Sequence, residues 1–168
     1  MAGSVGERTD EKKVMVAIDE GEHSYYALMW VLDNLKDSLK SPLIIFMAQP
    51  VPPDNYTFSA ALSNARIYCP FSTTPLVNSI KDQHQKLTLA LLEKAKDICA
   101  SRGVVAEMIT EVGDPKVTIC SVAEKLNVNL LVVGEDELGK IRRAVTWSVS
   151  NYCVQYAKCP VLVVKQPK

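Results

Sequence analysis

Apolar residues in this chain fall into short unbroken runs and into longer stretches where they return every three or four positions. The run at residues 14–18 shows no polar alternation, which predicts a strand covered on both faces, and Asp19 ends it. From Gly21 onward Ala27, Leu28, Val31, Leu32 and Leu35 recur at helical spacing. Pro42 then interrupts, and residues 43–48 supply a second buried strand. Strand, helix and strand make one β-α-β unit.

Helical periodicity resumes around Ile80 and passes through Leu87, Leu91, Leu92, Ala95 and Ile98 to Gly103, which is placed to end a helix in the left-handed conformation. A third strand is expected at residues 104–110. Gly113-Asp114-Pro115 then opens a helix reaching about Leu126, with Asp114 as N-cap and Pro115 at the first helical position. Residues 130–133 read as a fourth strand, about 141–157 as a last helix and 161–164 as a closing strand. Strands alternating with helices predict a parallel α/β sheet of the doubly wound class. Ligands in such sheets bind beyond the carboxyl ends of the strands. Two loops therefore matter most, residues 19–22 after the first strand and 134–140 after the fourth.

Residues 49–77 break the pattern. Pro50, Pro52, Pro53, Pro70 and Pro75, with scattered Ser, Thr and Asn, resist a regular helix or strand. The segment reads as a long excursion, either a lid or a padded surface loop, with Tyr56, Phe58, Tyr68 and Phe71 to pack it down.

Composition narrows the picture without redirecting it. A chain of 168 residues, 48% hydrophobic and 23% charged, is the size and make-up of one ordinary globular domain, here residues 13–168 behind a disordered tail at 1–12. No apolar run approaches the roughly 18 residues of a membrane span. Nineteen basic residues balance nineteen acidic ones, so no overall field gathers nucleic acid or an anionic membrane. The polar opening lacks the apolar core of a signal peptide, so the cytoplasm, and also the nucleus, is the expected location. Cys69, Cys99, Cys120, Cys153 and Cys159 are scattered with no C-x-x-C pair, which signals neither a disulfide framework nor a zinc site.

Several stretches in matching order resemble the universal stress protein family, its plant-type branch above all. They are the run from Val14 to Asp19 with its Ala/Leu/Trp helix, the Gly113-Asp-Pro turn, Leu131-Val-Val-Gly134, Ser148-Val-Ser150 and Cys159-Pro-Val-Leu-Val-Val. The resemblance covers nearly everything from Lys12 to Lys165. It implies a Rossmann-like three-layer α/β/α fold with five parallel strands in the order 3-2-1-4-5, and a homodimer through the C-terminal strand. It also implies a stress-response role and AMP or ATP as cofactor, held at Asp19, Ala48, Val133, Gly134, Ser148, Val149 and Ser150. In such proteins the phosphates meet a pattern G-x-x-G, nine residues, then G-[ST]. Glycines let backbone N–H groups approach phosphate, and the positive end of the next helix favours the anion.

This sequence departs from that pattern. Gly134 is present, but Glu137 stands at the second glycine position and Trp147 at the third, before Ser148. Glu135, Asp136 and Glu137 put three consecutive carboxylates beside the helix N-terminus that would receive phosphate. One like-charge pair about 5 Å apart costs on the order of 3 kcal/mol at an effective dielectric of about 20. The helix dipole would stabilise the same carboxylates as internal stand-ins for the anion. Trp147 brings on the order of 200 Å² of ring surface, as a filler or as the wall of a site for a less anionic ligand. Lys140, Arg142 and Arg143 follow closely and read as neutralising the acidic triplet, or as attracting a phosphate if the loop opens, and Gly139 is left to serve the backbone turn or a displaced glycine loop.

Other chemistry is sparse. Asp19, Glu20, Glu22 and His23 cluster after the first strand and read as caps and surface charges; no catalytic set is assigned, and His23 with Asp19 are the first candidates if an activity exists. His84 lies in a polar stretch, and two histidines without spaced cysteines make no metal site. Three functions follow. The first is a non-enzymatic regulatory protein with weak or no ATP binding, acting by dimerisation and contacts with a protein partner, and the second an AMP/ATP-binding protein with altered phosphate contacts. The third is a cleft turned to a small organic molecule, as enzyme or carrier.

Overall fold

The computed structural model describes residues 11–51, 74–135 and 148–167. Five strands run β1 (Val14–Ala17), β2 (Leu43–Gln49), β3 (Ala106–Val112), β4 (Leu130–Gly134) and β5 (Val161–Val164). Between them, among the described residues, lie helices α1 (Glu22–Asn34), α2 (Thr74–Ser101), α3 (Pro115–Lys125) and α4 (Val149–Tyr156), with a short 3-10 turn at Lys36–Ser38. All strand pairs are parallel, in the order β3-β2-β1-β4-β5. This is the doubly wound sheet expected from the strand–helix alternation, in the order the family resemblance implies. Among the described residues no helix is long and apolar enough to cross a membrane.

The central strand explains its own sequence. Every residue of β1 is buried, and alternate side chains enter opposite layers because successive residues of a strand face opposite ways. Val14 and Val16 join Leu28 and Leu32 of α1 and Leu92, Ala95 and Cys99 of α2 on one face. Met15 and Ala17 join Ile119, Val122 and Ala123 of α3 and Cys153 of α4 on the other. An unbroken apolar run is what a strand sandwiched between two helix layers requires.

Two boundaries move from their sequence positions for identifiable reasons. Helix α2 begins at Thr74 and so absorbs residues that read as the end of the proline-rich excursion. Pro75 sits in its first turn, where the missing N–H would have had no intrahelical partner. Residues 52–73, including Tyr56, Phe58, Tyr68 and Phe71, lie outside the described residues. Strand β3 starts two residues late, because the Val104 amide is taken by the carbonyl of Cys99 at 2.9 Å and finishes the helix. Gly103 there has φ +74°, the left-handed conformation that closes the turn. For the last helix, the described part is Val149–Tyr156; residues 136–147 lie outside the described residues, and so does the proposed tail up to residue 10.

Candidate functional site

The carboxyl end of the sheet is built by the turns after β1 and β4. Asp19 follows β1 with its carboxylate folded back: Oδ1 accepts from the Gly21 amide at 2.7 Å and from the Ser24 hydroxyl at 2.8 Å. The first contact is an Asx turn, a side-chain substitute for a backbone turn. Gly21, the N-cap of α1, has no side chain to cap the helix, and Asp19 holds the Gly21 amide itself rather than an amide of the first helical turn. The Asp19 amide in turn donates to Ser24 Oγ at 3.0 Å. Ser24 is buried, while Asp19, Glu20 and Glu22 are exposed. Glu22 lies in the first turn of α1, where a negative charge faces the positive end of the helix.

The turn after β4 is set by steric contact. A Cβ at Gly134 would overlap the His23 carbonyl oxygen and sit 2.6 Å from its carbon and 3.0 Å from the Ser24 amide. Glycine is therefore required where β4 passes the first turn of α1, whether or not a ligand binds. The next residue continues the sheet pattern, with the Glu135 amide donating to the Val164 carbonyl at 2.9 Å. The Glu135 carboxylate pairs with Lys165 at 3.3 Å. Lys165 is not among the neutralising residues expected from sequence, which are Lys140, Arg142 and Arg143. Those three, with Asp136, Glu137, Gly139 and Trp147, lie outside the described residues.

Ser148 and Ser150 are brought together at the start of α4, their hydroxyl oxygens 3.2 Å apart. Ser148 is the N-cap, its Oγ accepting from the Asn151 amide at 3.2 Å. Ser150 is buried. Ala48, Val133 and Val149 belong to the apolar layer beneath α3 and α4, so their side chains are packing and only their backbones are left for a ligand. Among the described residues no cluster of His, Cys, Asp and Glu forms a metal site, and His84 is exposed on α2.

A separate pocket of about 190 Å³ opens between α1 and α2. Ile18, Leu28, Leu91 and Ala95 form its apolar wall, with Asp19 and Lys94 among its polar lining. Of the residues implied by the family resemblance only Asp19 lines it. Ser24 is the residue that sequence reasoning missed. Its spacing from Asp19 is the one available sign, and the hydroxyl that fixes the carboxylate reads in sequence as one more polar position on a helix.

A family model, "Universal stress protein family", matches residues 11–165. The chain belongs to the universal stress protein family. A curated relative, universal stress protein YxiE of Bacillus subtilis, is 29% identical over 153 residues, covering 91% of this chain and 98% of its own. A universal stress family protein of Arabidopsis thaliana, solved with AMP bound, superposes with a TM-score of 0.61 at 24% identity, covering 93% of this chain and 92% of that one. A universal stress protein in complex with cAMP gives 0.61 at 22% identity, covering 92% and 97%. At such identities the two solved structures establish the fold of this universal stress protein and nothing finer.

Proposed function

We propose that this universal stress protein is a non-enzymatic regulatory protein of the stress response that binds ATP weakly or not at all. The observation that carries the reading is the pair Glu137 and Trp147 at the two glycine positions of the phosphate loop, with Asp136 beside them. Carboxylates oppose phosphates by charge, and an indole is far bulkier than the glycine it replaces. The Glu135 carboxylate, paired with Lys165, contributes less repulsion than the sequence alone implies. Calorimetry on purified protein tests the reading: no heat of binding with ATP is expected, and micromolar affinity would sink it.

A second reading has its own support. The reading is supported by Asp19 in the turn after β1, by the Ser148 and Ser150 hydroxyls 3.2 Å apart at the start of α4, and by two structural relatives solved with AMP and with cAMP. In this reading the cleft takes AMP, whose single phosphate meets less repulsion than a triphosphate. Glu137→Gly with Trp147→Gly then strengthens ATP binding by tenfold or more, and unchanged affinity excludes the loop as the determinant.

The protein acts as a homodimer through β5. Support comes from the strand's position at the sheet edge, with Val161, Leu162 and Val163 only half-buried. Apolar edge strands are usually paired or covered. Light scattering at micromolar concentration should give twice the chain mass, and a clean monomer overturns the dimer.

A further inference from the structure

The cysteines, without a motif in the sequence, acquire one in the fold. Cys120 on α3 and Cys153 on α4 are 33 residues apart in the chain, and their sulfurs touch at 3.9 Å. Cys120 is half-buried and Cys153 fully buried. Cys99 is buried on the other face of the sheet, packed into the α1–α2 layer, and provides an internal comparison. We propose that Cys120 and Cys153 are a modification site, an intramolecular disulfide formed by hydroperoxide that ties α3 to α4.

Both thiols rest protonated at neutral pH, because burial raises Cys120 and pushes Cys153 further. The thiolate is the reactive form, so the reduced pair is inert until oxidant is abundant or the helices part. Half-buried Cys120 reacts first. Its sulfur attacks one peroxide oxygen, the S–O bond forms, the O–O bond breaks, and the departing hydroxide takes the thiol proton to leave as water. Cys153 sulfur then attacks the sulfenic sulfur of Cys120. The S–S bond forms, the S–O bond breaks, and the second hydroxide leaves as water with the Cys153 proton. Two electrons pass from the thiols to the peroxide, which is reduced to two waters.

The movement required is small. A disulfide needs its sulfurs about 2 Å apart, so the two must close by about 2 Å, comparable to the 1–2 Å shifts helices make at packed interfaces. Cys153 follows Ser150 by three residues on the buried side of α4, so drawing it toward α3 also pulls on the turn that carries Ser148 and Ser150.

Non-reducing peptide mapping of full-length protein, treated with hydrogen peroxide and then alkylated, tests the proposal. The expected product is one cross-linked species joining the Cys120 and Cys153 peptides, two hydrogens lighter than their sum, in monomer-length chains and reversed by dithiothreitol. It persists in Cys159→Ser and Cys69→Ser and disappears in Cys120→Ser or, should that variant fold poorly, Cys120→Ala. Recovery of both thiols free, of separate sulfinic acids, or of Cys120 joined to Cys159 or to another chain overturns it; the wild-type map alone decides.

Discussion

The turns after β1 and β4 lie side by side at the carboxyl end of the sheet, and different forces hold them. After β1 the chain is fixed by polar contacts, with Asp19 Oδ1 accepting from Gly21 and Ser24. After β4 it is fixed by the absence of a side chain, since Gly134 fits against the His23 carbonyl only without a Cβ. Each turn resembles a ligand loop, and each has a structural cause that acts before any ligand arrives. A glycine that reads as a phosphate contact is also a packing requirement of the sheet.

The largest expected effect comes from breaking the steric half of this pair. Gly134→Ala forces β4 and the first turn of α1 apart, because the obstacle is backbone and not a flexible side chain. A loss of about 3 kcal/mol is expected, typical of overpacking. For a domain of this size that lowers Tm by about 6–12 °C. The loss should appear without any nucleotide present. Unchanged stability of the ligand-free variant, measured by thermal unfolding, would return Gly134 to a purely ligand-binding role.

Breaking the polar half costs less. Ser24→Ala removes the acceptor for the Asp19 amide and a donor to its carboxylate in a buried setting. An unsatisfied group there costs about 1–3 kcal/mol. Alanine's better helix propensity returns about 0.5 kcal/mol. The net loss is about 1 kcal/mol, or about 2–4 °C in Tm. A loss as large as that of Gly134→Ala would mean that the two turns do not differ in kind.

The two turns also differ in how far they can be read from sequence. Strands β1, β2, β4 and β5 are visible as apolar runs because a strand covered by helices leaves little polar alternation to confuse, whereas edge strand β3 mixes Glu107, Thr110 and Glu111 into its run and is largely exposed. Asp19 was visible by its residue type at a strand end. Ser24 was not, because its partner is chosen by the geometry of the turn. The steric reason for Gly134 was invisible too, since it depends on His23, a residue far away in sequence that only the β1–β4 pairing brings near. The start of α2 is hidden in the sequence because Pro75, a residue type that usually breaks helices, stands in the first helical turn. Cys120 and Cys153 had no sequence signature, since two separate helices supply them.

The smallest effect concerns Glu135 and Lys165, a contact placed by strand register: Gly134 lies opposite Val164, so the next residues on each strand meet. Lys165 is 70% exposed and Glu135 34%, which makes this a surface ion pair worth about 0.2–1 kcal/mol. Lys165→Gln should lower stability by about 0.5 kcal/mol in dilute buffer. That difference should vanish near 1 M salt, where the Debye length is about 3 Å. The same substitution frees a carboxylate at the edge of the phosphate loop, so any residual affinity for AMP should fall in Lys165→Gln and recover in Lys165→Gln with Glu135→Gln. Stability and affinity would then respond to one charge in opposite proportion, slightly in the fold and more in the cleft. If the double variant recovers neither, the Glu135 carboxylate does not reach the ligand, and repulsion of phosphate falls to Asp136 and Glu137 alone.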